Sequence, residues 1–204
     1  MARPRGDHVR EDVVLATFEL IANRGVDGMS MRALAEATGL STGTINYHFG
    51  SKRNVLFASI GHGYQQRPRV WDENDPVSNL RRLLHRFELS NHRRQTWWRF
   101  WLAVSSYAQA DEEVAAYLEA RHNENYEKFE TTVNECVEQG LFPTDLDTGT
   151  VAKTLVNAAY GQAIAQLIGG VEPQDVAACF DRQIQELSRS LDHVNGDRTL
   201  AGTP

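Results

Sequence analysis

Ser30–Lys52, SMRALAEATGLSTGTINYHFGSK, decides how this chain is read. The stretch predicts two short helices joined by a tight glycine turn. Ser30 is a favourable N-cap, because its hydroxyl accepts a bond from a backbone N–H that has no partner within the helix. Leu34, Ala35 and Ala37 give the first helix an apolar face. Gly39 sits where the chain must reverse, and Leu40 plugs the angle between the helices. Ser41 and Thr42 are the candidate caps of a second helix containing Gly43, Thr44, Ile45, Asn46, Tyr47, His48 and Phe49. Ile45 and Phe49, four residues apart, turn inward together. Thr42, Thr44, Asn46, Tyr47 and His48 are left outside, all hydrogen-bonding and none acidic, as a surface lying against phosphates and base edges requires.

In these residues the chain resembles the TetR-type one-component transcriptional regulators. The matching positions are Gly25, Ser30, Ala35, Gly39-Leu40-Ser41, Gly43-Thr44-Ile45, His48-Phe49 and Ser51-Lys52, roughly the first quarter of the chain. One departure is Asn46, where many members carry Tyr. Asn pairs bidentately with adenine and a Thr methyl can touch thymine, so Asn46 and Thr44 are the candidate base readers. Thr42, Tyr47, His48 and Lys52 are candidate phosphate contacts, Ser41 is a further candidate DNA-binding residue, and Arg32 could reach either a phosphate or a base. Gly39-Leu40-Ser41-Thr42-Gly43 also matches G-x-S-x-G, the nucleophile elbow of hydrolases. That motif needs a strand before it, and Met31–Thr38 reads as helix, which disfavours a hydrolase; the missing acid/base or metal constellation disfavours a small helical enzyme.

Outward from the motif, the pattern is helical throughout. A first helix spans about 7–24, with Val13, Ala16, Thr17, Leu20 and Ile21 inward and Gly25 as its stop. Met1–Gly6 is a short basic arm. A fourth helix at about 52–66 links residues 1–53, the helix-turn-helix domain, to residues 54–204, a helical effector-binding and dimerisation domain. Pro68 and Asp72–Pro76 mark the junction. Further helices are expected at about 76–90, 93–109, 112–139, 147–168 and 173–191, followed by a frayed polar tail from His193. The fold class is all-α.

The net charge of −6 over 204 residues looks wrong for a DNA binder until it is divided. Residues 1–69 carry nine Lys/Arg against six Asp/Glu, and the remainder twelve against twenty-one. A modestly basic end on an acidic body steers DNA to one end. Cys136 and Cys179 match no motif and read as inert thiols of a reducing compartment. No run approaches a membrane span, so a soluble cytoplasmic protein is expected. No cofactor is implied.

Trp97, Trp98, Phe100 and Trp101 hold three of the four tryptophans within five residues. Trp97, Phe100, Trp101, Val104 and Tyr107 share one helical face. Such rings either pack a core or wall a pocket for flat or cationic molecules. Trp97-x-x-Phe100-Trp101 also looks loosely like the BetI branch. The resemblance implies an effector cavity among the middle helices, here walled by Trp97, Trp101 and Tyr107, with Tyr64 and Trp71 contributing. His85, Glu88 and His92 share a face at metal-ligand spacing, but four nearby arginines argue for a polar surface instead.

Leu155, Ala159, Gln162, Ala163 and Gln166, with Phe180 and Ile184 on the following helix, are the candidate association surface, and Gly161 permits close approach. The family comparison favours a homodimer with two helices from each subunit at its interface, which requires a palindromic operator in double-stranded DNA. The function expected is a dimeric repressor released from DNA by a small-molecule effector. A DNA-binding regulator without such an effector is the alternative.

Overall fold

The computed structural model describes residues 5–64 and 71–200, with side chains for 8–64 and 71–188. The described residues form nine α-helices and two short 3-10 turns, with no strand among them. The helices are α1 (Arg5–Arg24), α2 (Met31–Thr38), α3 (Thr42–Phe49), α4 (Lys52–Tyr64), α5 (Pro76–Leu84), α6 (His92–Tyr107), α7 (Glu112–Glu138), α8 (Thr148–Leu167) and α9 (Pro173–Leu200). Residues 1–4 of the basic arm, Pro68 and the last four residues of the tail lie outside the described residues.

Short polar side chains start these helices by accepting backbone N–H groups that have no intrahelical acceptor. Asp75 accepts from Ser78 at 2.9 Å before α5, which has Pro76 in its first turn. Asn91 accepts from Arg94 at 3.0 Å before α6, and Asp147 from Thr150 at 3.1 Å before α8. Two ends differ from expectation. α5 stops at Leu84 rather than near 90, and a 3-10 turn covers His85–Phe87. The interrupted backbone is satisfied from α8, where Gln166 donates to the Phe87 carbonyl at 2.9 Å and accepts from the Leu89 N–H at 2.8 Å. α9 continues to Leu200, past the expected end at 191, with no proline to stop it before Pro204.

The chain divides into two compact units, residues 1–67 with 91–122 and residues 68–90 with 123–204. This replaces the expected boundary at 53/54. α6 joins the unit that holds the helix-turn-helix because its aromatic face packs there. Phe100 is 1% exposed and meets Phe18 edge-on at 4.8 Å between ring centres. Trp97 stacks on Phe100 at 5.2 Å and meets Phe18 edge-on at 5.4 Å. These rings continue one core with Val13, Ile21, Leu34, Ile45, Val55 and Ile60. The second unit is built on Leu80, Leu84, Phe129, Val156, Ala159 and Phe180, all fully buried. Cys136 belongs to this second core, and burial pushes its thiol up to about 12, so it stays protonated and unreactive.

Candidate nucleic-acid interface and aromatic cluster

α3 is eight residues long and fixed at its entry and exit. Gly39 ends α2 at φ +70° and Gly50 ends α3 at φ +77°, left-handed conformations that a Cβ disfavours. Between them Ser41, not Thr42, is the N-cap, and its Oγ accepts from the Thr44 N–H at 3.0 Å. The Ser41 and Thr44 hydroxyls also bond each other at 2.9 Å. Both expected DNA contacts therefore already spend a hydroxyl on the cap. Ile45 is fully buried and Phe49 is 6% exposed, which locks the inner face of α3.

The outer face is open. Thr42, Asn46 and Tyr47 are exposed, Tyr47 at 87%, as are Arg32 on α2 and Lys52 at the start of α4. His48 is half-buried, its ring edge-on to Tyr47 at 5.3 Å. Beside Lys52, Arg53 is committed elsewhere: it bonds both oxygens of Asp111, at 2.9 and 3.2 Å, and also Glu113. Asp111 caps α7 through the Val114 N–H, and this bond, with Arg53, holds its carboxyl below the usual range.

The aromatic cluster is real, with membership partly different from that expected. Trp101 Nε1 donates to the Tyr64 hydroxyl at 2.8 Å, and its ring stacks on His122 at 6.1 Å. Tyr64 and His122 Nδ1 are 3.4 Å apart, and burial lowers the His122 pKa toward the neutral ring. Trp97 lies edge-on to Tyr64 at 5.8 Å. It also covers Gly63 so closely that a Cβ there would meet the indole at 2.0 Å. Tyr107 packs against the same core, half-buried. Trp71 is exposed and belongs to the other unit. The histidine at 122 completes the group, and its isolation in the sequence concealed it. A separate cleft of 490 Å³ lies among α1, α2 and the start of α6, lined in part by Leu15, Phe18, Glu19, Thr38, His92 and Thr96.

His85, Glu88 and His92 fall in different units. His85 and Glu88 bond each other at 2.9 Å, whereas His92 lies in the other unit beside Glu19.

The association residues require correction. Leu155, Ala159, Ala163, Phe180 and Ile184 are at most 4% exposed and form the interior of their own unit. Gln166 holds the α5 exit, and Gln162 Nε2 is 3.9 Å from Cys179 Sγ. The open face of α8 is instead Asn157, Gly161 and Ile164, continued by Ile168 just past its end, spaced by four, three and four. Ile164 is 37% and Ile168 79% exposed, and a Cβ at Gly161 would meet nothing within 4 Å. The signal was present as the three-four spacing, but the more apolar inner stripe outweighed it.

The family model for bacterial regulatory proteins of the tetR family matches residues 13–58, and that for the C-terminal region of BetI-type transcriptional repressors matches residues 76–189, more than half of the chain. The chain belongs to the TetR family. It is a transcriptional regulator of that family, with a BetI-type C-terminal region. The HTH-type transcriptional repressor AcnR of Corynebacterium glutamicum is 25% identical over 172 residues, covering 84% of this chain and 88% of that protein. A Rhodococcus sp. structure described as a TetR-family transcriptional regulator superposes with a TM-score of 0.77 at 20% identity, covering 88% of this chain and 98% of the other. A transcriptional regulator from Saccharomonospora viridis in complex with choline gives 0.71 at 22% identity, covering 88% and 96%. At these identities the two structures establish the fold. No described helix is long and apolar enough to cross a membrane.

Proposed function

We propose that this TetR-family regulator is a homodimeric repressor that reads a palindromic operator through α3 and is released by a small organic effector. The observation that carries the reading is a capped, rigid α3 with Thr42, Asn46 and Tyr47 fully presented and Lys52 beside them. Ser41 and Thr44 hold the start of the rod, and Thr44 keeps its methyl group for a thymine. Arg32 and His48 flank the contact. The description of the matching family model as repressor, and that of the AcnR relative, support the sign of regulation.

Two copies would associate through the open stripe Asn157, Gly161 and Ile164 of α8 with Ile168 just past its end, since an isologous interface needs an exposed, self-complementary surface. The two α3 helices must then sit one DNA turn, ~34–36 Å, apart to dock together. An effector acts by favouring a different separation, and only to the extent that its affinity differs between the two states. The group of Tyr64, Trp97, Trp101 and His122 is the proposed effector site, with Tyr107 at its margin. Indole and phenol faces attract a compact organic cation, the class to which the choline in the Saccharomonospora viridis structure belongs.

A second reading has support of its own. Trp97 lies against Gly63 and the rings are already in mutual contact, so the cluster could be core alone, in a regulator without an effector. Selection of duplexes from a random pool by purified protein at low salt tests the DNA reading, and a palindromic consensus is expected. Binding that ignores every duplex sinks it. Thermal-shift measurements with choline and larger quaternary ammonium compounds separate the two readings. Ligand stabilisation abolished by Trp101→Ala, with operator affinity retained, supports the effector; equal loss of both properties supports the core. Sedimentation of Ile164→Glu as a monomer supports the α8 interface, and an unchanged dimer removes it.

A further inference from the structure

The C-terminal end of α3 is held from two other helices, and the two contacts have one result. In an eight-residue helix the last four carbonyls lack the partners that a longer helix would supply. The Asn46 carbonyl accepts from the Gly50 N–H at 2.7 Å. The Phe49 carbonyl accepts from Asn54 Nδ2 of α4, also at 2.7 Å. The His48 carbonyl accepts from Arg10 NH1 of α1, 38 residues earlier, again at 2.7 Å. The Arg10 guanidinium also lies over the Phe49 ring, 4.8 Å from its centre.

We infer that Arg10 is a positioning residue for operator recognition: it fixes the angle of α3 from its C-terminal end. The inference rests on the reading of α3 as the DNA-recognition helix. A cation there is favourable twice, since the C-terminus carries the negative end of the helix dipole and the Phe49 face attracts positive charge. Arg suits the position where Lys would serve less well. Its planar fork donates to the carbonyl while its flat face stays on the ring, whereas an ammonium is a point donor. Ser41 fixes one end of α3 and Arg10 with Asn54 the other, so the outward residues cannot roll with respect to α1. Recognition of base edges requires that fixed roll; attraction to phosphates does not.

This difference supplies the test. Arg10→Ala, Arg10→Lys and the wild type are compared on a duplex selected by the wild-type protein and on a scrambled duplex of the same composition, across a salt series. Arg10→Ala should weaken the selected duplex about tenfold, leave the scrambled duplex within about twofold, and keep the salt slope; Arg10→Lys should recover part of the loss. Equal weakening on both duplexes with the slope reduced by about one would make Arg10 a direct phosphate contact and overturn the inference. Unchanged binding would also overturn it. Amide hydrogen exchange in the DNA-free protein gives an independent reading: Phe49 and Gly50 should exchange faster in Arg10→Ala while the α6 amides do not. Failure to select any duplex would count against the DNA reading, and unchanged exchange against Arg10 itself. If Arg10→Ala does not fold, Arg10→Gln, which retains a donor without the charge, takes its place.

Discussion

α3 and α6 place their distinctive residues on opposite sides of the same physical problem. Tyr47 on α3 is 87% exposed, while Trp98 and Phe100 on α6 are 3% and 1% exposed. α3 is short and its own shape is set by its immediate neighbours, two glycines, one serine cap and two inward side chains on the core, while Arg10 of α1 holds its C-terminal end. α6 takes its place from residues distant in sequence, with Phe18 and Tyr64 on other helices receiving its rings. A surface helix that reads a ligand keeps its outer side chains free of intramolecular work. The buried rings of α6 spend theirs on it. Substitutions on the outer face of α3 should therefore alter DNA binding and those of Trp98 and Phe100 stability, and variants can be chosen to test that division.

The largest effect is expected from Phe100→Ala. Removing a fully buried ring loses its transfer free energy and leaves a cavity, together about 3–5 kcal/mol. Urea denaturation should show this loss, while DNA affinity per folded molecule stays constant. A loss below about 1 kcal/mol would mean that the α6 rings line open space rather than fill a core. Next come Asn46→Ala and Tyr47→Ala. A good base or backbone contact carries about 1–3 kcal/mol of discrimination, so operator affinity should fall roughly five- to hundredfold. Stability should stay within about 0.5 kcal/mol, because neither side chain is buried. Asn46→Ala should relax sequence preference, whereas Tyr47→Ala should weaken all duplexes. If either variant unfolds more easily, the outer face of α3 is not free.

Ser41→Ala is the substitution that should cross the division. Ser41 lies on the proposed DNA side yet caps α3, so its loss should cost about 1 kcal/mol of stability and also weaken the operator complex. Thermal unfolding and band-shift titration of the one variant check both halves. Loss of affinity alone would make Ser41 a DNA contact rather than a cap.

The same local-versus-distant distinction explains what could be read from the sequence. The turn at Gly39, the cap near Ser41 and the inward pair Ile45 and Phe49 depend on residues within five positions, and the spacing revealed them. The face shared by Trp97, Phe100 and Trp101 was equally legible, since helical periodicity needs no tertiary information. What that face meets was not. Gly63 reads as an ordinary helical glycine until Trp97 is found lying on it. Tyr107 is on the right face and packs on that core. On α8, Leu155 and Ala159 are more apolar than Gly161 and Asn157, and composition assigned them to a partner subunit when the chain's own second unit buries them. Periodicity finds faces; it does not say which of two faces the same chain covers.

The smallest effect expected is an acid-side pH dependence carried by the helix caps. Asp75, Asp111 and Asp147 accept backbone N–H bonds at the starts of α5, α7 and α8, and these bonds hold their carboxyls below the usual value. For Asp75 the Ser78 side chain is the larger cause; for Asp111 and Asp147 the backbone bond comes first. A depressed folded-state value means the unfolded chain takes up protons first. The stabilisation is therefore complete above the ordinary aspartate value of about 3.9 and is lost as pH falls below it through the folded value. The same descent weakens the Arg53–Asp111 bridge, which joins the start of α4, beside Lys52, to the start of α7. Asp147→Asn keeps a cap acceptor but cannot titrate, so its stability relative to wild type should improve on going from pH 6 to pH 3. Asp111→Asn should show the same flattening with a larger loss at pH 6, because it also gives up the charge that pairs with Arg53, and that extra loss should shrink toward pH 3 as the wild-type carboxyl is protonated. Denaturant melts at the two pH values resolve the pair. A parallel pH response in wild type and Asp147→Asn would show that this cap does not govern the acid limb. α3 should stay outside this response, since the oxygen that caps it belongs to Ser41 and carries no titratable proton in this range.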